Sequence, residues 1–144
     1  MLEFKTQFEA LLKEKELPTQ YQAIEGGHHL YRFQFRASKE RMLMVEVILQ
    51  KSEEAYFDAQ IIYRQVHVLD DYQKKFQALE AINGLNGAKT GYYNLYLAGD
   101  GEIYLRSLIR CGQDPRPLYD TLVIGSTIAR LLQKSLPEKL GKSL

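Results

Sequence analysis

Side chains able to do chemistry are few in this chain and widely spaced. His28 and His29 are adjacent, so on an extended strand their rings leave on opposite faces and cannot readily share a metal. Neither a cysteine pair nor a helical His-Glu spacing supports a zinc site. His67 precedes Asp70 and Asp71, a set with the right atoms for a cation. The two carboxylates suit a helix start equally well, where the dipole favours negative charge, and that is the preferred reading. Cys111, the one cysteine, is followed by GQDP with no nucleophile signature around it; it reads as a structural thiol.

The stretch YLAGDGEIYL, residues 96–105, sets two glycines and two carboxylates between apolar runs. A calcium loop needs oxygen ligands at alternating positions over about a dozen residues, closed by a bidentate Glu. Here Asp100 and Glu102 are followed at once by Ile103, Tyr104 and Leu105. A phosphate-cradling loop needs a Gly-Lys-Ser/Thr ending that enters a helix, whereas a strand pattern follows. Asp-Gly between alternating runs is a hairpin signal. No catalytic residue, metal or cofactor is therefore expected.

What remains is a set of Arg and Tyr residues at strand spacing: Arg32 and Arg36, Arg64, Tyr92 and Tyr96, Tyr104 and Arg106. The runs that must position them alternate with period two. Tyr31, Phe33 and Phe35 oppose Arg32, Gln34 and Arg36; Leu43, Val45, Val47 and Leu49 oppose Met44, Glu46 and Ile48; Phe57, Ala59, Ile61 and Tyr63 oppose Gln60, Ile62 and Arg64. Polar clusters join the runs, which is the pattern of an antiparallel meander with one buried face. Two further strands, YYNLYL and EIYLRSLI, flank the Asp-Gly turn.

Helical spacing frames these strands. Residues 2–17 place Phe4, Phe8, Leu11 and Leu12 on one face before Pro18 stops the helix. Residues 70–87 place Tyr72, Phe76, Leu79 and Ile82 together, with Asp70 and Gln73 at capping-box spacing and Asn-Gly at the end. The last helix runs from Pro115 to about Leu136, is apolar over a wide arc that includes Leu118, Leu122, Val123, Ile128, Leu131 and Leu132, and ends at Pro137. Its Gly125 and Ala129 allow close approach of another backbone, either the sheet or, in a sharper reading, a second copy. The expectation is a single α+β domain over residues 1–136 with a mobile tail, 137–144. Its antiparallel sheet of about five strands carries helices on one face, in the order α-β-β-β-α-β-β-α.

The opposite face then carries Arg32, Arg36, Arg64, Tyr92, Tyr96, Tyr104 and Arg106. Tyr, Arg and Met are enriched at protein contacts and Lys is depleted, while Tyr and Arg are also ordinary strand residues that cover a sheet. Aromatic residues with flanking Arg can instead stack single-stranded nucleic acid. Against that reading, Lys plus Arg is 19 and Asp plus Glu 18, without the basic excess most nucleic-acid binders carry. A single cysteine, an N-terminus with charges throughout and no membrane-length apolar run point to a cytoplasmic address.

The element order, and the portion ALEAINGLN…GYYNLYLAGDGEIYLRSLI (residues 78–109) followed by the apolar helix from Leu118, resemble the YbjN-like bacterial family, which has a type III secretion chaperone-like fold. The residue-level likeness is confined to that portion, a helix ending in N-x-L-N, a strand, a DG hairpin and a strand. It carries no catalytic motif. The resemblance implies a small cytoplasmic protein, often dimeric, with a binding or regulatory role. Chaperones of this fold bind extended client segments and tend to be acidic, whereas this chain is near neutral. The expected function is a non-catalytic protein-binding module that uses the Tyr/Arg sheet face, with a protein or peptide partner and a homodimer as its associations. Single-stranded nucleic acid on the same face is the alternative, and an uncharacterised enzyme ranks below both.

Overall fold

Period-two alternation becomes a sheet wherever its apolar side has helices to meet. The computed structural model of the chain describes residues 2–144. Helix α1 (Leu2–Glu14) leads into β1 (Gln20–Ile24), β2 (His28–Ser38), β3 (Arg41–Leu49) and β4 (Phe57–Val68). Helix α2 (Lys75–Ala88), the hairpin β5 (Asn94–Leu97) and β6 (Glu102–Cys111), and helix α3 (Arg116–Leu140) complete the chain. All pairings are antiparallel, in the order β1-β2-β3-β4-β6-β5.

The fold class is the expected α+β, with six strands rather than five. The additional strand is β1, whose sequence QYQAI is exposed at every position except the half-buried Ile24. A polar edge strand has no buried face and so no alternation to read. It is held by its ladder with β2.

The expected inner face is buried: Tyr31, Phe33, Leu43, Val45, Val47, Leu49, Phe57, Ala59, Ile61 and Tyr63 are each at most 3% exposed. Phe4 of α1 meets Phe57 edge-on at 4.7 Å, and Phe8 meets Tyr31 at 5.3 Å. Gly125 of α3 lies directly over Tyr63 and Tyr93: a Cβ there would fall 2.5 Å from each ring system. The small residue serves packing on the sheet, the first of its two expected readings. The Tyr63 hydroxyl donates to the Leu122 carbonyl and the Tyr93 hydroxyl to that of Thr121.

Four helical expectations are corrected. In α2 the buried residues are Ala78, Ile82 and Leu85, while Tyr72, Phe76 and Leu79 stand 42%, 79% and 42% exposed. Two apolar stripes compete on this short helix, and polar clamps settle its rotation. The Asn86 amide brackets β5 at Leu95, accepting from its N–H at 2.7 Å and donating to its carbonyl at 3.1 Å, and Gln77 donates to the Lys139 carbonyl. Asp71 caps the short 3₁₀ turn Tyr72–Lys74 that leads into α2, accepting from the Gln73 N–H, whereas Asp70 pairs with Lys74. In α3, Val123 and Leu131 lie on the exposed side. That helix also continues through Pro137 to Leu140. Proline removes a single hydrogen bond in the last turn, and buried Leu136 and Leu140 hold the turn in place. Beyond it, the segment expected as a mobile tail is tied to β4: Leu144 N–H donates to the Val68 carbonyl and Val68 N–H to the Ser143 hydroxyl. Among the described residues no helix is long and apolar enough to cross a membrane.

The YLAGDGEIYL stretch is the β5–β6 hairpin. Asp100 accepts from the Glu102 N–H, and Gly101 takes the positive φ of +91° that the turn requires.

A candidate binding face on the outer side of the sheet

Cross-strand register decides which side chains can meet. On the outer face one row runs Gln20, Arg32, Glu46, Ile62, Arg106, Asn94 across all six strands. Arg32 and Arg64 both approach the Glu46 carboxylate, at 3.5 and 3.7 Å. Arg64 also forks onto Glu102, with Nε and Nη2 at 3.0 and 2.8 Å from its two oxygens. That hydrogen-bonded carboxylate, outweighing partial burial, raises the Arg64 pKa further, so the guanidinium is charged throughout the physiological range.

The fork exists because β4 bulges. Between the pairs Tyr63–Leu105 and His67–Ile103, three residues of β4 stand opposite one of β6. Gln65 takes a positive φ of +48°, a conformation that costs a side-chain-bearing residue energy and is common beside functional sites. Glu102, only 5% exposed, offsets the cost by accepting from the Gln65 N–H at 2.8 Å as well as from Arg64.

Next to the bulge lies the aromatic part of the face. Tyr96 and Tyr104 are cross-strand partners with rings stacked at 5.4 Å and 20°. Arg106 sits over Tyr96 at 5.0 Å and Arg64 over Tyr104 at 5.8 Å, both within cation–π reach. Each ring of the stack therefore carries a guanidinium.

Beyond Val45–Tyr63 the pairing of β3 with β4 stops. The strands part around a hollow of about 550 Å³ lined by Arg41, Met42, Met44, Glu46, Arg64 and Gln65, among others. Arg41 donates across the gap to the Gln65 carbonyl. A second hollow of about 390 Å³ lies against Arg32, Gln34 and Thr19 and shares Met42 and Met44 with the first. The two methionines, 46% and 38% exposed, form a flexible ridge between the hollows, a side-chain type that adapts to varied apolar partners.

Of the seven residues singled out from sequence, Arg32, Arg64, Tyr96, Tyr104 and Arg106 lie on this connected face. Arg36 stands apart, donating to the Ser38 and Lys39 carbonyls of the β2–β3 turn. Tyr92 precedes β5 in a turn and is 75% exposed. Sequence reasoning left out Glu102, Gln65, Arg41 and Met42. The one available signal was the break of alternation at Gln65, where polar Gln falls on the inward position and Val66 follows it.

Of the groups considered for metal or nucleophile chemistry, His28 and His29 are engaged elsewhere, while His67 is buried with its Nε2 unpartnered. His28 accepts from the Lys51 N–H, and His29 shares a hydrogen bond with the Tyr21 hydroxyl. Burial pushes the Cys111 thiol up to about 11, which keeps it protonated and unreactive. Among the described residues no three His, Cys, Asp or Glu side chains come together as a cation site. No protein-family model matches the chain, and no curated protein matches it in sequence.

Proposed function

We propose that the protein is a non-catalytic, chaperone-like binding module of the YbjN-like kind, which holds a segment of a partner polypeptide against the outer face of its sheet. The observation that carries this reading is the Tyr96–Tyr104 stack flanked by Arg64 and Arg106 on an open sheet face. Rigid aromatics bearing a polar edge, with arginine beside them, are the residues that dominate protein contacts. The methionine ridge adds an apolar surface that can accept different side chains. β1, an exposed edge strand, offers main-chain groups to an extended segment. At the other edge, Asn86 already occupies the Leu95 backbone groups.

The pairing of Arg32 and Arg64 with carboxylates favours polypeptide over nucleic acid, because phosphates would have to displace Glu46 and Glu102. The test is a pull-down from lysate with the wild-type chain and a Tyr96→Thr/Tyr104→Thr variant, half of each sample treated with nuclease. Threonine keeps strand propensity, so the fold is retained. The expected result is a discrete protein captured regardless of nuclease and lost with the variant. Equal capture by the variant would remove the face from the account, and capture abolished by nuclease would turn it into a nucleic-acid surface.

A further inference from the structure

After Leu140 the chain turns back onto β4. Gly141 makes the turn with a φ of +81°, and a Cβ at that position would come within 3.4 Å of the Lys74 Nζ. Residues 141–144 then reach the end of β4 beyond Val45–Tyr63, where its pairing with β3 has stopped. The Leu144 N–H donates to the Val68 carbonyl at 3.0 Å. The Ser143 hydroxyl accepts from the Val68 N–H at 2.8 Å and from Arg41 Nη1 at 3.1 Å. Lys74 holds the root of this strap by donating to the Leu140 carbonyl at 3.2 Å. Past Leu140 no side chain is buried, and Leu144 is 75% exposed. Polar bonds alone retain the strap, and such bonds exchange with water for little net gain.

His67, the neighbour of Val68 in β4, is 1% exposed, and its Nε2 has no hydrogen-bond partner. Three charged groups act on its ring: Arg41 from β3, Asp70 from the loop after β4, and Lys74 from the turn before α2. Asp70 is itself bound to Lys74 at 2.9 Å. The two cations around the buried ring are thus the two that hold the strap, Arg41 at Ser143 and Lys74 at Leu140. Burial first, and then the Arg41 charge, hold the His67 pKa below its ordinary value, so the ring is neutral at neutral pH. Once a proton is added, the imidazolium repels Arg41 and Lys74 and draws Asp70 away from Lys74. Relief comes when the cations move off, and their moving off lets the strap go.

We propose that residues 141–144 form a proton-operated strap, closed on β4 while His67 is neutral and released when His67 takes up a proton. Release bares the main-chain groups of Val68 and frees Arg41 from Ser143 at the lining of the hollow between β3 and β4. This proposal is independent of the role assigned to the sheet face.

Amide hydrogen exchange of the full chain, followed by NMR and corrected for the intrinsic pH dependence of exchange, tests it. With an ordinary histidine pKa of about 6.5 in the released form, protection at Val68 falls about tenfold between about pH 7.5 and 5.5. Core amides such as Val47 keep theirs. In His67→Gln the Val68 protection is the same at both pH values. Ser143→Ala removes two of the bonds that hold the strap, so Val68 loses protection across the range. By reciprocity the His67 ring of that variant titrates closer to about 6.5. Equal Val68 protection at the two pH values in the wild-type chain would overturn the proposal, as would a loss that survives His67→Gln or one shared by the core amides. A His67 titration unmoved by Ser143→Ala would do the same, and it does not depend on the histidine variant folding.

Discussion

Gly125 in α3 and the Gly84–Gly87 pair in α2 are the same residue type on neighbouring helices, yet they sit in opposite surroundings. Around Gly125 there is no room: Tyr63 and Tyr93 stand where a Cβ would go, and their hydroxyls tie the sheet to the α3 backbone one turn earlier. Around Gly84 and Gly87 there is only open space. A glycine that lets two layers approach is explained inside the chain, whereas at Gly84 and Gly87 no close approach within the chain calls for the missing side chain. The contrast teaches that a glycine in a helix is read from its surroundings rather than from its propensity.

The sharpest way to break this comparison is to add the same methyl group at both places. Gly125→Ala drives a carbon into two aromatic rings that cannot withdraw, and overpacking of this kind costs about 3 kcal/mol, roughly a 10 °C fall in Tm. Gly84→Ala goes the other way, raising the stability of the chain by about 0.5–1 kcal/mol through helix propensity. Urea unfolding of both variants at low protein concentration measures the difference. If both changes stabilise, or both destabilise to a similar degree, the distinction between the two glycine sites fails.

A smaller effect concerns a buried group that neither region uses. His67 is 1% exposed and its Nε2 lacks a hydrogen-bond partner. Burial, then the Arg41 charge, hold its pKa below the usual value; Asp70 pulls it upward and Lys74 adds to the depression. The unfolded chain, with an ordinary histidine, takes up its proton first, so stability present at neutral pH is lost as the pH falls below about 6.5. His67→Gln is expected to flatten that part of the stability profile without abolishing it, because the His29 pKa is lowered too. Urea midpoints measured across the pH range check this, and an unchanged slope in the variant would contradict it.

How much of this was legible in the sequence follows from what each element buries. Strands β2, β3 and β4 have one wet and one dry face, so their alternation gave both their positions and the identity of the outer face. β1 was invisible because it buries almost nothing. The rotation of α2 was misread because Phe76 and Leu79 offer a stronger stripe than Ala78, Ile82 and Leu85, and only the clamps from Asn86 and Gln77 decide between the two. Pro137 reads as a stop in sequence, but the burial of Leu140 outweighs one lost hydrogen bond. On the candidate face, period two put Arg32, Arg64, Tyr96, Tyr104 and Arg106 on the outer side of the sheet, where their mutual contacts lie. It could not find Glu102, whose role depends on a bulge in β4 that brings Arg64 and the Gln65 N–H to one carboxylate.

The most direct measurement places a photo-crosslinking phenylalanine analogue at position 96 in one variant and at position 76 in another, then irradiates each in lysate. The account predicts that the probe at position 96 forms an adduct with a different polypeptide and that the probe at position 76, on the helix side of the sheet, forms none. A probe at position 96 that crosslinks only to nucleic acid, or to nothing while position 76 reacts, would contradict the claim that the Tyr/Arg face holds a partner protein.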